Sequence, residues 1–295
     1  MLSGKTLPFL LPILFLIVAV FSVTGLWKKT KLGRKLFQPT KRSPLTDNLL
    51  RSPGQTIQDR LLDKTLDFAS DVWSLFYILI GIGFVPLLMG SSFSRILVWF
   101  ILGILVFWIL YKLRTRSKEI QDLRLGLDGE LATAEELNQL MHHGYYVFHD
   151  FPAEHFNIDH VVIGPAGVFA VETKARSKLV GKGKQGAKVI FEDAQLKFPR
   201  YQESESIQQA KSQSKWLCEF LGKSMGKSIS VKAVLALPYW MVDRCSEDES
   251  IMVINPREAE KFIIPCKKVL DERTIQQIKE QVEQRCRTVK PFEVL

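Results

Sequence analysis

The chain has no paired-cysteine motif. Its four cysteines, Cys218, Cys245, Cys266 and Cys286, lie 20 to 27 residues apart, with no CxxC and no Cys/His pair at zinc-ligand spacing. That excludes a zinc ribbon and predicts free thiols in a reducing compartment. A Walker-type phosphate loop and an internal repeat are also missing, which removes P-loop chemistry and solenoid folds. Histidine is scarce: five residues, all between His142 and His160, at spacings that fit no ligand set and read as incidental. The C-terminal part lacks the basic excess suggested by the formal charge of +9. Residues 119–295 hold 24 Lys/Arg against 26 Asp/Glu, whereas Met1–Lys118 holds 16 against 5.

Long apolar runs are present, all near the N-terminus. Thr6–Trp27 gives 22 residues without a charge, Val72–Met89 gives 18 and Ile96–Tyr111 gives 16. A bilayer-crossing helix takes ~20 apolar residues, so these runs predict three transmembrane helices at about 6–27, 72–89 and 96–111. The competing readings are a cleaved signal peptide for the first and a buried core pair for the others. The first apolar run is long for a signal peptide, and no small-x-small cleavage site follows it. Residues 28–71 form a basic loop with ten Lys/Arg, and Lys112–Lys118 adds four, against Lys5 and Arg95 on the other side. The positive-inside bias then predicts an integral membrane protein of the inner or plasma membrane. The N-terminus lies outside, the C-terminal domain lies in the cytosol, and the lipid bilayer is a partner. The expected division is 1–118 as membrane region and 119–295 as globular domain.

The globular part is organised around Asn157–Lys174, NIDHVVIGPAGVFAVETK. Two β-rich arms, 158–163 and 168–174, flank Gly164-Pro165-Ala166-Gly167, the pattern of a hairpin. Strand period puts Glu172 and Lys174 on one face. With a two-residue loop at Pro165-Ala166, residues summing to 331 pair, and Asp159 faces Glu172. A bulge at Gly167 would slip that register by one. Charged groups on apolar strands need partners. One reading is a salt bridge at a hairpin end. The other is a divalent-metal site of the form D…ExK, the signature of restriction-endonuclease-like nucleases, in which carboxylates hold a hard cation and a lysine orients water.

Upstream, Asp128 is expected to cap a helix over Gly129–His143 that ends at Gly144. Glu130 falls within its apolar stripe of Leu131, Ala134, Leu137, Leu140 and Met141. It is either a dipole-stabilising residue or an inward-facing acid. Strands are expected at 145–150, 188–191 and 231–237, and helices at 206–221, 257–264 and 272–287, the last two within a helical extension at 250–295. Arg176, Lys178, Lys182, Lys184 and Lys188 make a run with no acid, either a solvated loop or phosphate contacts. Gln208, Gln209 and Gln213 are polar positions on the 206–221 helix, where surface exposure is the ordinary reading. The order gives an α/β fold with a mixed sheet.

These residues resemble the NERD (nuclease-related) domain family over about 125–237. The matching pieces are Gly129-Glu130, Gly144 to Val147, Asn157 to Pro165, Gly167 to Phe169, Glu172-Thr173-Lys174 and Gln209-Ala210. The resemblance implies a restriction-endonuclease-like mixed β-sheet flanked by helices, and a nuclease dependent on Mg²⁺ or Mn²⁺. It makes Asp159 and Glu172 metal ligands, with the Thr173 carbonyl and Glu130 as further ones. Lys174 becomes the water-orienting base, and Gln209 a helix-borne residue facing the site. Nucleic acid, DNA ahead of RNA, is the expected partner. The rival expectations are a non-catalytic nucleic-acid-binding module and a membrane scaffold with an inactive domain.

Overall fold

The computed structural model describes residues 47–84, 92–178, 186–245 and 248–290. The chain divides into two compact units. One is built on Arg60–Asp122, the other on Leu45–Asp59 with Leu123–Pro291.

The first unit contains most of α1 (Gln55–Phe84) and the first part of α2 (Ser92–Asn138). A charged seam joins them. Asp71, 4 % exposed, takes Lys112 at 2.7 Å and Arg116 at 2.9 Å, and Arg116 also reaches Asp67 at 2.8 Å. Lys64 bridges Glu119 at 2.7 Å. Two cations on one buried carboxylate satisfy the rule that buried charge must be paired.

No helix among the described residues is long and apolar enough to cross a membrane. This overturns the expected three-span integral membrane protein with its outside N-terminus and cytosolic C-terminal domain, and leaves the bilayer as a partner without support. The physical reason is length. The run at 96–111 covers 16 residues of a 47-residue helix and is followed directly by Lys112, Arg114, Arg116 and Lys118. At 1.5 Å per residue it spans about 24 Å, short of the ~30 Å hydrocarbon layer. Only 72–84 of the second run and none of 6–27 lie within the described residues.

The second unit holds a five-stranded sheet. In chain order its strands are β2 (Tyr146–Pro152), β3 (Asn157–Gly164), β4 (Gly167–Thr173), β8 (Val231–Ala236) and β10 (Ile251–Ile254). The spatial order is β10-β8-β4-β3-β2, antiparallel from β2 to β4 and parallel from β4 to β10. Between β4 and β8 the chain forms β5 (Lys188–Glu192), β6 (Gln195–Lys197), β7 (Gln202–Glu203) and α3 (Glu205–Met225). With β9 (Met241–Arg244), β5 to β7 make a second sheet of order β7-β6-β5-β9. Then follow α4 (Ala259–Ile263), α5 (Glu272–Cys286) and β11 (Arg287–Val289), which pairs with β1 (Leu49–Leu50).

Alternation along β4, buried at all seven positions, explains the layers. Val168 and Ala170 pack with Leu217 and Leu221 of α3 and Ile278 and Val282 of α5. Phe169 and Val171 face the other way, onto Leu137, Leu140 and Ile263. The mixed α/β architecture agrees with expectation.

The hairpin register does too. Gly164 pairs with Gly167 and His160 with Val171, the two-residue-loop alignment, so there is no bulge at Gly167. Asp128 is not a cap: it is an exposed position inside α2, which runs unbroken from Ser92 to Asn138. The helix start expected there is absent because nothing in residues 112–127 breaks a helix. The left-handed Gly144 (φ 79) does close the short 3₁₀ turn after α2.

Candidate active site

The hairpin supplies three charged groups. Asp159, half-buried, leaves β3 where pairing with β2 is interrupted, between His160 opposite His149 and Ile158 opposite Phe151. Its Oδ2 accepts the Thr173 backbone N–H at 2.6 Å, which draws it to the end of β4. Glu172 is 2 % exposed, and its Oε1 lies 2.6 Å from the Lys174 ammonium. The Lys174 backbone N–H donates to Ala236 O at 2.9 Å, fixing the strand end beside β8.

The fourth group comes from α2. A Cβ on Gly129 would meet the Cβ of Ala175 at 2.6 Å, so only glycine lets the helix approach the chain just beyond Lys174. That close approach brings in Glu130, which is 7 % exposed. Gly54, at φ +65, turns the N-terminal segment onto the same place, and its backbone donates a hydrogen bond to Glu130.

The electrostatics record the crowding. Burial, then the carboxylates of Asp150 and Glu172, push Glu130 up to about 7, while the Gly54 hydrogen bond and Lys174 oppose the rise. Burial, then Glu172 and Glu130, hold Asp159 well above its ordinary value against the Thr173 hydrogen bond and Lys174. Three carboxyl groups thus repel one another around a single lysine.

The structure thereby brings together Glu130, Asp159, Glu172, Thr173 and Lys174. It does not bring in Gln209, which is exposed. The glutamine at the site is Gln213, one turn on and 2 % exposed, which donates to Glu172 Oε2 and, at 3.4 Å, to Asn157 O. Sequence reasoning left Gln213 on the surface. Helical phase would have found it, because it lies three residues after Ala210 and four before Leu217, within the buried stripe.

Asp150 and Arg51 were also missed. Asp150 accepts Arg51 Nε at 2.8 Å, Thr56 N and Oγ1 at 2.9 Å each, and Asn157 Nδ2 at 2.9 Å. No sequence signal marks it, since its partner Arg51 is 99 residues away. His149 and His160, read as incidental, form a cross-strand pair with Nδ1 atoms 2.9 Å apart. Burial lowers His149 to about 4; burial and then His149 hold His160 well below its ordinary value, so the pair is neutral.

The basic run is divided. Arg176 is bound to Glu203 at 3.0 Å, and Lys188 to Asp243 at 2.7 Å. Lys178 donates to the carbonyl of Tyr239. Lys182 and Lys184 lie outside the described residues.

Among the described residues, no group of three or more His, Cys, Asp or Glu side chains is arranged to hold an ion. Magnesium needs only one or two carboxylates, completing its shell with water and phosphate. Asp159 and Glu172 supply carboxylates in that number, with both Glu172 oxygens engaged by Lys174 and Gln213. Two buried atoms beside them, Thr173 Oγ1 and Gln213 Oε1, have no hydrogen-bond partner and can accept from water.

Fold and site together describe a mixed-sheet α/β domain with three carboxyl groups and a lysine gathered at the end of β4, beside its pairing with β8. Residues 125–238 match the model of the nuclease-related domain family, NERD. The match coincides with the stretch over which the sequence resembles that family. No curated protein and no solved structure matches the chain.

Proposed function

We propose that this nuclease-related domain hydrolyses phosphodiester bonds in nucleic acid, DNA ahead of RNA. The observation that carries the reading is the cluster of Glu130, Asp159 and Glu172 around one lysine: Glu172 lies against Lys174, and burial with the neighbouring carboxylates raises the proton affinity of Glu130 and Asp159. A divalent cation, Mg²⁺ or Mn²⁺, would be held by Asp159 and Glu172, with Glu130 and the Thr173 carbonyl beside them, and would supply Lewis-acid neutralisation of the scissile phosphate. Lys174 would orient the attacking water and offset the charge that develops on the phosphoryl oxygens. Gln213 holds Glu172 in one rotamer. Hydrolysis adds the water oxygen to phosphorus and releases the sugar oxygen with a proton.

A second reading draws on one contact pattern. Both oxygens of Glu172 are already engaged, by Lys174 and by Gln213, as in a domain that holds nucleic acid without cutting it. The full chain incubated with linear DNA, and separately with RNA, in Mg²⁺ or in EDTA decides between them. Metal-dependent cleavage that falls ~10²–10³-fold in Lys174→Ala supports the hydrolase. Binding without cleavage in either buffer supports the module, and equal cleavage by both proteins sinks the assignment of the site.

A further inference from the structure

A turn follows β8 directly. Trp240 N donates to Leu237 O at 3.2 Å, closing Leu237-Pro238-Tyr239-Trp240 with Pro at the second position and Tyr239, at φ 66, at the third. A type II turn of this form wants glycine or asparagine at its third position, because positive φ strains any other residue. The other non-glycine residues at positive φ have local reasons. Asp150 is held by its hydrogen bonds, and Asp193 and Ala194 form the tight turn between β5 and β6. Tyr239 has a bulky ring in a strained position, and the residue is 56 % exposed.

The backbone around that ring is fixed. Trp240 lies buried below it, with Nε1 donating to Arg176 O at 3.2 Å and its own carbonyl accepting Asn255 Nδ2 at 2.9 Å. The Arg257 guanidinium stands 5.6 Å from the Tyr239 ring centre, and Lys178 holds the Tyr239 carbonyl. The ring borders a cleft of about 140 Å³ whose lining includes Pro238, Arg257, Glu135 and Glu136. Arg257 approaches Glu136 at 3.5 Å, while Glu135 makes no ion pair among the described residues. The turn starts one residue beyond Ala236, whose carbonyl holds Lys174. Three residues of chain reach at most ~11 Å, so Tyr239 stands within a nucleotide or two of the acid pocket.

The geometry points to Tyr239 as a stacking platform for one unpaired nucleobase of the substrate, with Glu135 accepting from the amino edge of that base. This rests on the nucleic-acid reading above and deepens it. An aromatic face binds any base through its π-surface, and an adjacent guanidinium adds cation–π attraction. Carboxylates in the cleft repel phosphate and accept from amino groups, so the occupant is a base, cytosine or adenine ahead of thymine.

The experiment uses the full chain in EDTA with labelled single-stranded oligo(dC) and oligo(dT) of one length. Tyr239→Asn suits the turn and removes the ring, so loss of binding cannot be assigned to backbone strain. It is expected to bind oligo(dC) roughly tenfold more weakly, while Tyr239→Phe stays within about twofold of the native chain. Glu135→Gln is expected to erase the preference for oligo(dC) over oligo(dT). Native affinity in Tyr239→Asn, or equal losses in the Asn and Phe variants, overturns the stacking platform and leaves the nuclease reading intact. A native chain that binds neither oligonucleotide also overturns the stacking platform, whereas the nuclease reading falls only if DNA and RNA both stay uncut in Mg²⁺.

Discussion

Asp150 and Asp159 stand on adjacent strands, and their surroundings are opposite. Asp150 is saturated by donors from Arg51, Thr56 and Asn157, and it ties Arg51, Thr56 and the β2–β3 edge together. Asp159 receives one backbone N–H and lies among two other carboxyl groups and the single Lys174 ammonium. A carboxylate with all its acceptors filled is a structural anchor. One held against like charge, with a single donor, has capacity left for a cation. Residue type and burial alone would have ranked them the other way, since Asp150 is the more buried.

Substitution separates the two. Asp150→Ala leaves Arg51, 15 % exposed, without its counter-charge, and should lower unfolding free energy by about 3–5 kcal/mol in a denaturant titration. Asp159→Asn should do the reverse: cleavage falls ~10²–10³-fold, while the melting temperature holds or rises because a repelled charge is gone. Equal stability losses in the two variants would erase the distinction.

Glu130 sharpens the comparison through pH. Its unfolded value is 4.5 and its folded value about 7, so between those limits the unfolded chain gives up a proton that the folded chain keeps. Stability therefore falls as pH rises from about 4.5 to 7, by on the order of 3 kcal/mol. Glu130→Gln should remove most of that slope in urea titrations at pH 5, 6, 7 and 8. In the native chain Mg²⁺ should flatten it, and EDTA should restore it. Smaller still is Gln213→Leu, expected to cost about 1–3 kcal/mol by leaving one Glu172 oxygen without its donor. No change in denaturation midpoint would show that contact to be slack.

Local patterns were legible. Two-residue alternation and the Gly-Pro-Ala-Gly turn located the β3–β4 hairpin and narrowed it to two registers, of which the structure takes the two-residue loop, and counting helical angle put Glu130 within the inner stripe. The same count applied to α3 picks Gln213 over Gln209, so that error was one of application, not of information. Asp128 misled because an aspartate before an apolar stripe reads as a helix start, whereas α2 is already 36 residues along when it reaches Asp128. The second sheet was largely hidden, because strands of two to five residues carry too few alternations to register. The Arg51–Asp150 anchor was invisible in principle, since it joins segments 99 residues apart without periodicity.

The two-residue link between β3 and β4 has a mechanical corollary. Asp159, Glu172 and Lys174 are brought together by the register that the Pro165-Ala166 link sets, so a slip of one residue between the arms would turn one arm's whole complement to the reverse side of the sheet. Exchange of one part leaves the others where they stand, but a slip of the two arms moves several at once.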